Sequence, residues 1–276
     1  MKLAISNIAW NPEQTEAVYE LLHRLGVHGL EVAPGLLFDG EPNPLRPSDA
    51  VLKARQARLK AAGLQLVSMQ SLLFGAQDAK LFGDAGQVAR FRDGMLRAIE
   101  LAGLLRIPNL VVGSPANRVI PEHMAAGVAI DHAANLFTDL AEVAQAHGCR
   151  LAMEPNPAVY GTNFLTHMAD AATFVRRVAH PAVTLNFDVG ALHLNGEFDQ
   201  IDALLAAHLD IVSHVHISEP HLAPVPADED TLRRTFSALT SAGWTGCVSI
   251  EMRAVHNAGL THVEHALRAC LESMVR

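Results

Sequence analysis

Short apolar runs alternate with longer amphipathic segments along the whole chain. The short runs are rich in Val, Ile and Leu, as strands are, whereas the longer segments repeat apolar residues every three to four positions, as helices do. Eight strands are predicted, at residues 3–6, 29–33, 64–70, 109–113, 150–154, 183–188, 211–216 and 246–251. Helices are predicted at residues 13–25, 48–62, 86–103, 122–147, 168–179, 198–207, 229–242 and 260–275. This order is that of repeated βα units.

Five of the predicted helices end at a glycine that can take the left-handed conformation before the next strand. These glycines are Gly26, Gly63, Gly103, Gly148 and Gly243. No linker rich in Pro, Gly or Ser interrupts the repeat, so we expect residues 1–276 to form a single domain of the α/β class, a closed (β/α)₈ TIM barrel. The rival is an open doubly wound sheet, but its phosphate-binding glycines are missing after the first strand, which reads SNIAW.

Composition narrows the class of protein. Half of the 276 residues are hydrophobic and 18% are charged, which is enough apolar surface for one large core. A formal net charge of −8, with no dense cluster of Lys and Arg, argues against nucleic acid as a partner. No apolar run approaches the ~18–20 residues of a membrane span, and the first residues are too briefly apolar for a signal peptide. Three scattered cysteines favour a reducing cytoplasm.

Four consecutive predicted strands, the fifth to the eighth, end in residues that can bind a metal ion or transfer a proton. These residues are Glu154, Asp188, His216 and Glu251. We expect them to converge, because the active sites of barrels form at the carboxyl ends of the strands. Carboxylates that are buried together need a shared cationic partner. We therefore predict one divalent metal ion, with Mn²⁺, Mg²⁺ or Co²⁺ favoured over Zn²⁺ because most of the donor atoms are oxygens.

Side chains alternate across a strand, so residues two positions from a predicted ligand share its face. His214 then lies one layer from His216 and is expected, together with Asn186, to orient the ligands through hydrogen bonds. Other polar residues at or near strand ends are expected to contact a substrate. They are Glu31, Gln70, Asn156 and Arg253.

The four ligand candidates stand in the segments LAMEPNP, NFDVG, HVHISE and SIEM. They resemble the metal ligands of the sugar isomerase/epimerase superfamily, which has a xylose isomerase-like TIM barrel and includes D-tagatose 3-epimerase, hydroxypyruvate isomerase and inosose dehydratase relatives. The resemblance spans nearly the whole chain. It implies that the four residues hold the metal, and that Glu154 and Glu251 also remove and return a proton of the substrate, as two glutamates do in the ketose 3-epimerases.

Several positions depart from the pattern of the epimerases, among them Ser218, where the family has a glycine after the histidine of the seventh strand. The family often carries a histidine three positions after the aspartate of the sixth strand, where this chain has Ala191 and offers His193 as the nearest substitute for a substrate contact. An arginine that follows the histidine of the seventh strand is Leu222 here, and an acidic residue after the fifth strand is Tyr160. The substrate-binding residues are therefore expected to differ from those of a standard 3-epimerase.

The resulting prediction is a divalent-metal-dependent isomerase or epimerase that converts a small keto-sugar or hydroxy-keto compound through a cis-enediolate. Two alternatives stay open. One is a keto-polyol dehydratase or lyase that uses the same metal site, and the other is a non-catalytic, metal-dependent carbohydrate-binding barrel. Enzymes that need a lysine at the carboxyl end of a strand are excluded, because none of the predicted strands ends in a lysine. The expected partner is a small sugar-like molecule. Association into a homo-oligomer is a further alternative that the sequence leaves open.

Overall fold

The computed structural model describes residues 1–255 and 259–275. Its eight strands are hydrogen-bonded in sequence order in a closed barrel of parallel strands, which confirms the predicted (β/α)₈ TIM barrel. Each strand lies within two residues of its predicted bounds. The strands are β1 (Lys2–Ser6), β2 (Gly29–Val32), β3 (Gln65–Met69), β4 (Asn109–Val112), β5 (Arg150–Met153), β6 (Val183–Asp188), β7 (Val212–Ser218) and β8 (Cys247–Glu251).

All eight predicted helices are present, and two short helices, α2 and α7, are additional. The helices are α1 (Thr15–Leu25), α2 (Pro34–Leu37), α3 (Asp49–Ala61), α4 (Ala85–Leu105), α5 (Ala126–Ala146), α6 (Met168–Val178), α7 (Val189–Leu194), α8 (Ile201–His208), α9 (Glu229–Ser241) and α10 (Thr261–Val275). The two additional helices follow strands directly and are too short to show a helical period. Among the described residues, none of the helices has both the length and the apolar character needed to cross a membrane.

Four of the five glycines predicted at helix ends take a left-handed backbone, and the fifth prediction is wrong. Gly103 lies inside α4, which continues to Leu105 and ends at Arg106 with a φ of 57°. Leu105 is buried and extends the apolar face of the helix by one residue, whereas Leu104 is exposed. A Cβ at Gly103 would lie 2.5 Å from Nδ1 of His147, so this glycine permits a close approach rather than a turn. The four confirmed positions are Gly26, Gly63, Gly148 and Gly243.

Contacts within the chain define two compact units. The first unit contains Met1–Val67, Asp188–Asp210 and His214–Arg276, and the second contains Ser68–Phe187 and Ile211–Ser213. The prediction of a single domain stays a prediction.

In the first unit, β1 pairs with both β2 and β8. The register places Ser6 opposite Glu31 and Leu3 opposite Val248. Strands β7 and β8 are also paired, with Ser218 opposite Glu251. The carboxyl ends of β2, β7 and β8 are thereby fixed relative to one another by main-chain hydrogen bonds, which gives their terminal side chains a rigid support.

An aromatic cluster packs α4, α5 and α6 together in the second unit. Its five rings, those of Phe82, Phe91, Phe137, Phe164 and Phe174, meet edge to face with centroids 5.0–6.3 Å apart. Each such pair adds about 0.5–1.5 kcal/mol beyond the apolar area that it buries. This cluster holds the helices that pack on β4 and β5, and β5 is followed by Glu154, one of the predicted ligands.

Candidate metal centre

Two histidines on β7 share one carboxylate partner. His214 and His216 are two positions apart, and their exposed fractions are 1% and 0%. Nε2 of His216 lies 3.1 Å from Oε2 of Glu31 on β2. Nε2 of His214 lies 3.2 Å from the same oxygen and 2.8 Å from Oγ of Ser249. The predicted common face of the two histidines is therefore confirmed.

The carboxyl group of Glu31 is ionised in this environment. Complete burial alone would raise its pKa, but the charge of His216 and hydrogen bonds from both histidines outweigh burial and hold the pKa below its ordinary value. An ionised carboxylate can only accept hydrogen bonds. The ring nitrogens that face Glu31 therefore carry hydrogens, so the neutral form of His216, which is the form that can bind a metal ion, has its one hydrogen on Nε2.

The other ring nitrogen of His216 faces two acidic side chains. Nδ1 lies 3.2 Å from Oε2 of Glu251 and 3.5 Å from Oδ2 of Asp188. The three side chains are buried and offer ligand atoms that lie within 4.8 Å of one another. With its hydrogen on Nε2, His216 presents a lone pair at Nδ1 beside two carboxylate oxygens. One imidazole nitrogen and two carboxylates form a donor set that suits a divalent cation.

Asp188 reaches this cluster because it also begins a helix. As the last residue of β6 it is the N-cap of α7, and its Oδ1 accepts a hydrogen bond from the backbone N–H of Ala191 at 2.6 Å. The hydroxyl of Ser218 accepts from the backbone N–H of Gly190 and donates to the same Oδ1 at 3.1 Å. These bonds occupy Oδ1 and leave Oδ2 directed at His216.

Glu154 follows β5 and is 9% exposed. Each oxygen of its carboxylate accepts a hydrogen bond from a side-chain amide, Oε1 from Asn186 and Oε2 from Asn156, both at 2.9 Å. The carboxylate lies against Gly113 at the end of β4, where a Cβ would be 2.5 Å from Oε2. Asn186, which was predicted to orient a ligand, does contact the predicted ligand Glu154. Asn156, which was predicted to touch substrate, is held by the same carboxylate.

Arg118 is a member of this neighbourhood that sequence reasoning missed. It follows β4 and has no exposed surface. Its Nη2 donates to the backbone carbonyl of Glu154 at 3.1 Å and to Oδ1 of Asn156 at 2.6 Å. Burial lowers its pKa to about 10, against the opposing effect of the charge of Glu154. An arginine in a loop normally lies on the surface, and no periodic pattern marks this one in the sequence.

Three further candidates for substrate contact each have their own local contacts or exposure. Gln70 follows β3, is buried and accepts from Oγ of Ser71 at 3.3 Å. His193 on α7 is half-buried and stacks on Phe198 with ring centroids 4.1 Å apart, and desolvation lowers its pKa. The side chain of Arg253 is exposed after β8. None of these contacts joins the three residues to the cluster, and their part in substrate binding stays a prediction.

Together these features define a class, that of TIM barrels with a candidate metal-binding cluster at the carboxyl ends of their strands. The profile of the family described as "Xylose isomerase-like TIM barrel" matches residues 19–274. The chain belongs to this family, which confirms the resemblance seen in the sequence. No match is found among curated proteins.

Several solved structures share the fold. An apo form of 3-keto-D-glucoside 4-epimerase from E. coli is 17% identical with a TM-score of 0.76, covering 100% of each chain. D-psicose 3-epimerase from Clostridium cellulolyticum H10 with D-tagatose is 16% identical with a TM-score of 0.78, covering 100% of this chain and 98% of that one. The IOLI protein with a zinc atom is 16% identical with a TM-score of 0.67, covering 100% and 97%. At these identities the likeness establishes the fold alone.

Proposed function

We propose that this protein is a divalent-metal-dependent isomerase or epimerase of a small keto-sugar or hydroxy-keto compound. The observation that carries the proposal is the convergence of Asp188, His216 and Glu251 on one point, with ligand atoms within 4.8 Å of one another. Structural neighbours described as a 3-keto-D-glucoside 4-epimerase and a D-psicose 3-epimerase support the same reaction class. A single domain over residues 1–276 is part of the proposal, and so is a cytoplasmic location, which the free cysteines favour.

Glu154 is proposed as the fourth ligand. It follows β5, which pairs with β6, the strand that ends in Asp188. The amides of Asn186 and Asn156 fix the direction of its carboxylate. Three carboxylates and one imidazole carry a charge of −3 and supply mostly oxygen donors, which favours Mn²⁺, Mg²⁺ or Co²⁺. The zinc atom of the IOLI protein keeps Zn²⁺ among the metals to be tested.

The proposed reaction needs an acid and a base beside an activated carbonyl. A divalent cation held by these residues would supply Lewis-acid polarisation of the substrate carbonyl. Glu154 is proposed to remove the proton from the carbon beside that carbonyl, and Glu251 to return a proton on the other face, or the reverse. Two bases that act on opposite faces are what inversion at a carbon requires.

Other side chains are assigned supporting roles in the proposal. Glu31 and His214 hold His216, because the hydrogen-bonded carboxylate fixes the imidazole with Nδ1 free to ligate. Asn156, Gln70, His193 and Arg253 remain proposed substrate contacts. Since Glu31 has no exposed surface and accepts hydrogen bonds from both histidines, its geometry favours the orienting role over the predicted substrate contact.

The test is exchange of a carbon-bound hydrogen with solvent. Protein loaded with Mn²⁺, Mg²⁺, Co²⁺ or Zn²⁺ is incubated with a panel of keto-sugars and polyol ketones in D₂O, and products are examined by NMR for deuterium at carbon. Glu154→Gln and Glu251→Gln should abolish incorporation, whereas Glu20→Gln, at an exposed position on α1, should not. Incorporation that persists in both glutamine variants would contradict the assigned roles.

The same experiment separates the alternatives. Deuterium in an isomer or epimer of the substrate supports the proposal. Loss of water with formation of an unsaturated or deoxy product supports a dehydratase or lyase. Metal-dependent binding without any exchange supports a carbohydrate-binding protein and contradicts the proposed enzyme.

A further inference from the structure

Arg118 is the largest fully buried side chain in the part of the chain that the structure describes. Only its Nη2 forms hydrogen bonds, to the backbone carbonyl of Glu154 and to Oδ1 of Asn156, while Nε and Nη1 find no partner among the described residues. Burying a guanidinium with donors unpaired is costly. Burying Arg118 in this way therefore lowers the stability of the folded protein. The arginine lies beside Glu154, which is a proposed ligand of the metal centre.

The presence of Arg118 leaves the amide of Asn156 only one suitable orientation. A guanidinium has donors and no acceptor, so the atom of Asn156 that faces it at 2.6 Å must be the oxygen Oδ1. The amide nitrogen then points at Oε2 of Glu154, to which it donates at 2.9 Å. The reversed amide would put N–H groups against the guanidinium and an oxygen against the carboxylate, which is repulsive at both ends.

The amide of Asn156 in turn restricts the carboxylate of Glu154. With Asn186 donating to Oε1 and Asn156 donating to Oε2, both oxygens are tethered. The chain of bonds from Arg118 through Asn156 to Glu154 lies wholly in buried groups, whose exposed fractions are 0%, 6% and 9%. In a buried site such bonds are strong and their directions are well defined.

We propose that Arg118 is a positioning residue of the candidate metal centre, which fixes the amide of Asn156 and through it the direction of the Glu154 carboxylate. The inference rests on the proposed function, in which Glu154 binds the metal ion. Arg118 touches no reacting atom in this scheme. It reaches the carboxylate of Glu154 through Asn156, and its other hydrogen bond holds the backbone carbonyl of Glu154. Its positive charge also repels a cation, so loss of the charge and loss of the positioning change metal affinity in opposite directions.

A double-mutant cycle separates the two effects. Dissociation constants for Mn²⁺ are measured by electron paramagnetic resonance for wild type, Arg118→Met, Asn156→Ala and the double variant. The charge effect is common to both backgrounds and cancels in the cycle, so the remaining coupling reports the path through Asn156. We expect Arg118→Met to weaken Mn²⁺ binding at least about threefold more in the wild-type background than in the N156A background. Equal factors in the two backgrounds would overturn the proposal.

Crystal structures of the metal-free wild type and of Arg118→Met provide a second measurement that does not depend on metal binding. The expected result is an Asn156 amide that no longer donates to Oε2 of Glu154, and a Glu154 carboxylate turned away from its wild-type position. A Glu154 carboxylate in the wild-type position would overturn the proposal. If wild type binds no Mn²⁺, Zn²⁺, Co²⁺ or Mg²⁺, the proposed function fails, and these two structures still decide the role of Arg118.

The matched control is Arg177→Met, which removes an exposed arginine of the second unit that pairs with Asp131. It should leave both the Mn²⁺ dissociation constant and the position of Glu154 unchanged. Circular dichroism and thermal melting show whether each variant folds. If Arg118→Met does not fold, Arg118→Gln, whose amide both donates and accepts and so imposes no single orientation on Asn156, replaces it in both measurements with the same expected outcomes.

Discussion

Oε2 of Glu31 lies 3.1 Å from Nε2 of His216, on the side of the imidazole away from the nitrogen that faces Asp188 and Glu251. A carboxylate in this place holds the hydrogen on Nε2 and leaves Nδ1 as a lone-pair donor, which is the arrangement in which histidine binds metals. Glu31 is thereby linked to the candidate metal centre without contributing a ligand atom to the cluster of Asp188, His216 and Glu251.

Glu31→Gln should weaken metal binding without removing a ligand. The amide keeps the shape of the side chain but loses the charge, and it can also turn an N–H group toward the histidines, which would favour the wrong tautomer of His216. We expect the affinity for Mn²⁺ to fall about 10-fold to 100-fold, as measured by isothermal titration calorimetry.

The control for this change is Glu20→Gln, which neutralises an exposed carboxylate of the same unit and should leave the affinity as in wild type. An unchanged affinity in Glu31→Gln would show that the carboxylate does not hold His216 in its ligating form.

Metal removal should lower the melting temperature. A cation that binds only the folded state at a hundred times its dissociation constant adds about 2.7 kcal/mol, which corresponds to a shift of about 5–10 °C for a chain of this size. Thermal unfolding in excess Mn²⁺ and in EDTA measures the shift. Asp188→Asn should abolish most of it, and a full shift in that variant would argue that the cation binds elsewhere.

Two of the three cysteines should be unreactive in the folded protein. Burial raises the pKa of the Cys149 thiol to about 11 and also raises that of Cys270, so at pH 8 only about 0.1% of the Cys149 side chains are thiolates. A thiol reagent such as dithionitrobenzoate should modify at most Cys247, which is only half-buried, and should reach all three after unfolding. Rapid labelling of Cys149 in the native protein would contradict this.

The pKa of Cys149 also has a consequence for stability. Because the folded pKa is raised, the unfolded thiol ionises first as pH rises from its ordinary pKa of about 8.5. The contribution of this group is therefore complete below about pH 8.5 and is lost as the pH approaches 11. A Cys149→Ala variant should lose less stability than wild type between pH 8 and pH 10.5, as measured by guanidinium unfolding. An identical loss in the two proteins would contradict the shift.

The strands, and the acidic and histidine residues at their carboxyl ends, could be predicted because both depend on local sequence. Asp188 and Glu251 end an apolar run of strand length, Glu154 directly follows one, and His216 stands two residues before the end of β7. A closed barrel brings the carboxyl ends of its strands to one rim. The alternation of side chains also placed His214 beside His216. These inferences need only the period of a strand and the order of the units.

Contacts made by loops could not be predicted in the same way. Arg118 meets Glu154 across 36 positions of sequence, and nothing in its local segment distinguishes it from a surface arginine. The short helix α7 was missed because six residues are too few to show a period, although Asp188 followed by a helix is a common cap. Gly103 was misread because its small size serves packing against His147 and not a turn.

Gly113→Ala tests whether the position of Glu154 matters for the metal centre. The added methyl group would lie 2.5 Å from Oε2 of Glu154, closer than atoms can approach, so the carboxylate must leave its amide partners or the backbone must shift. We expect a loss of about 1–3 kcal/mol in the free energy of unfolding, and a loss of about tenfold or more in Mn²⁺ affinity. The matched control is Gly127→Ala on α5, where the new methyl group meets nothing within 4 Å and should stabilise the fold by up to about 1 kcal/mol. If Gly113→Ala loses stability but keeps the affinity of wild type, the displaced Glu154 is not a metal ligand, and the cation is held by Asp188, His216 and Glu251 without it.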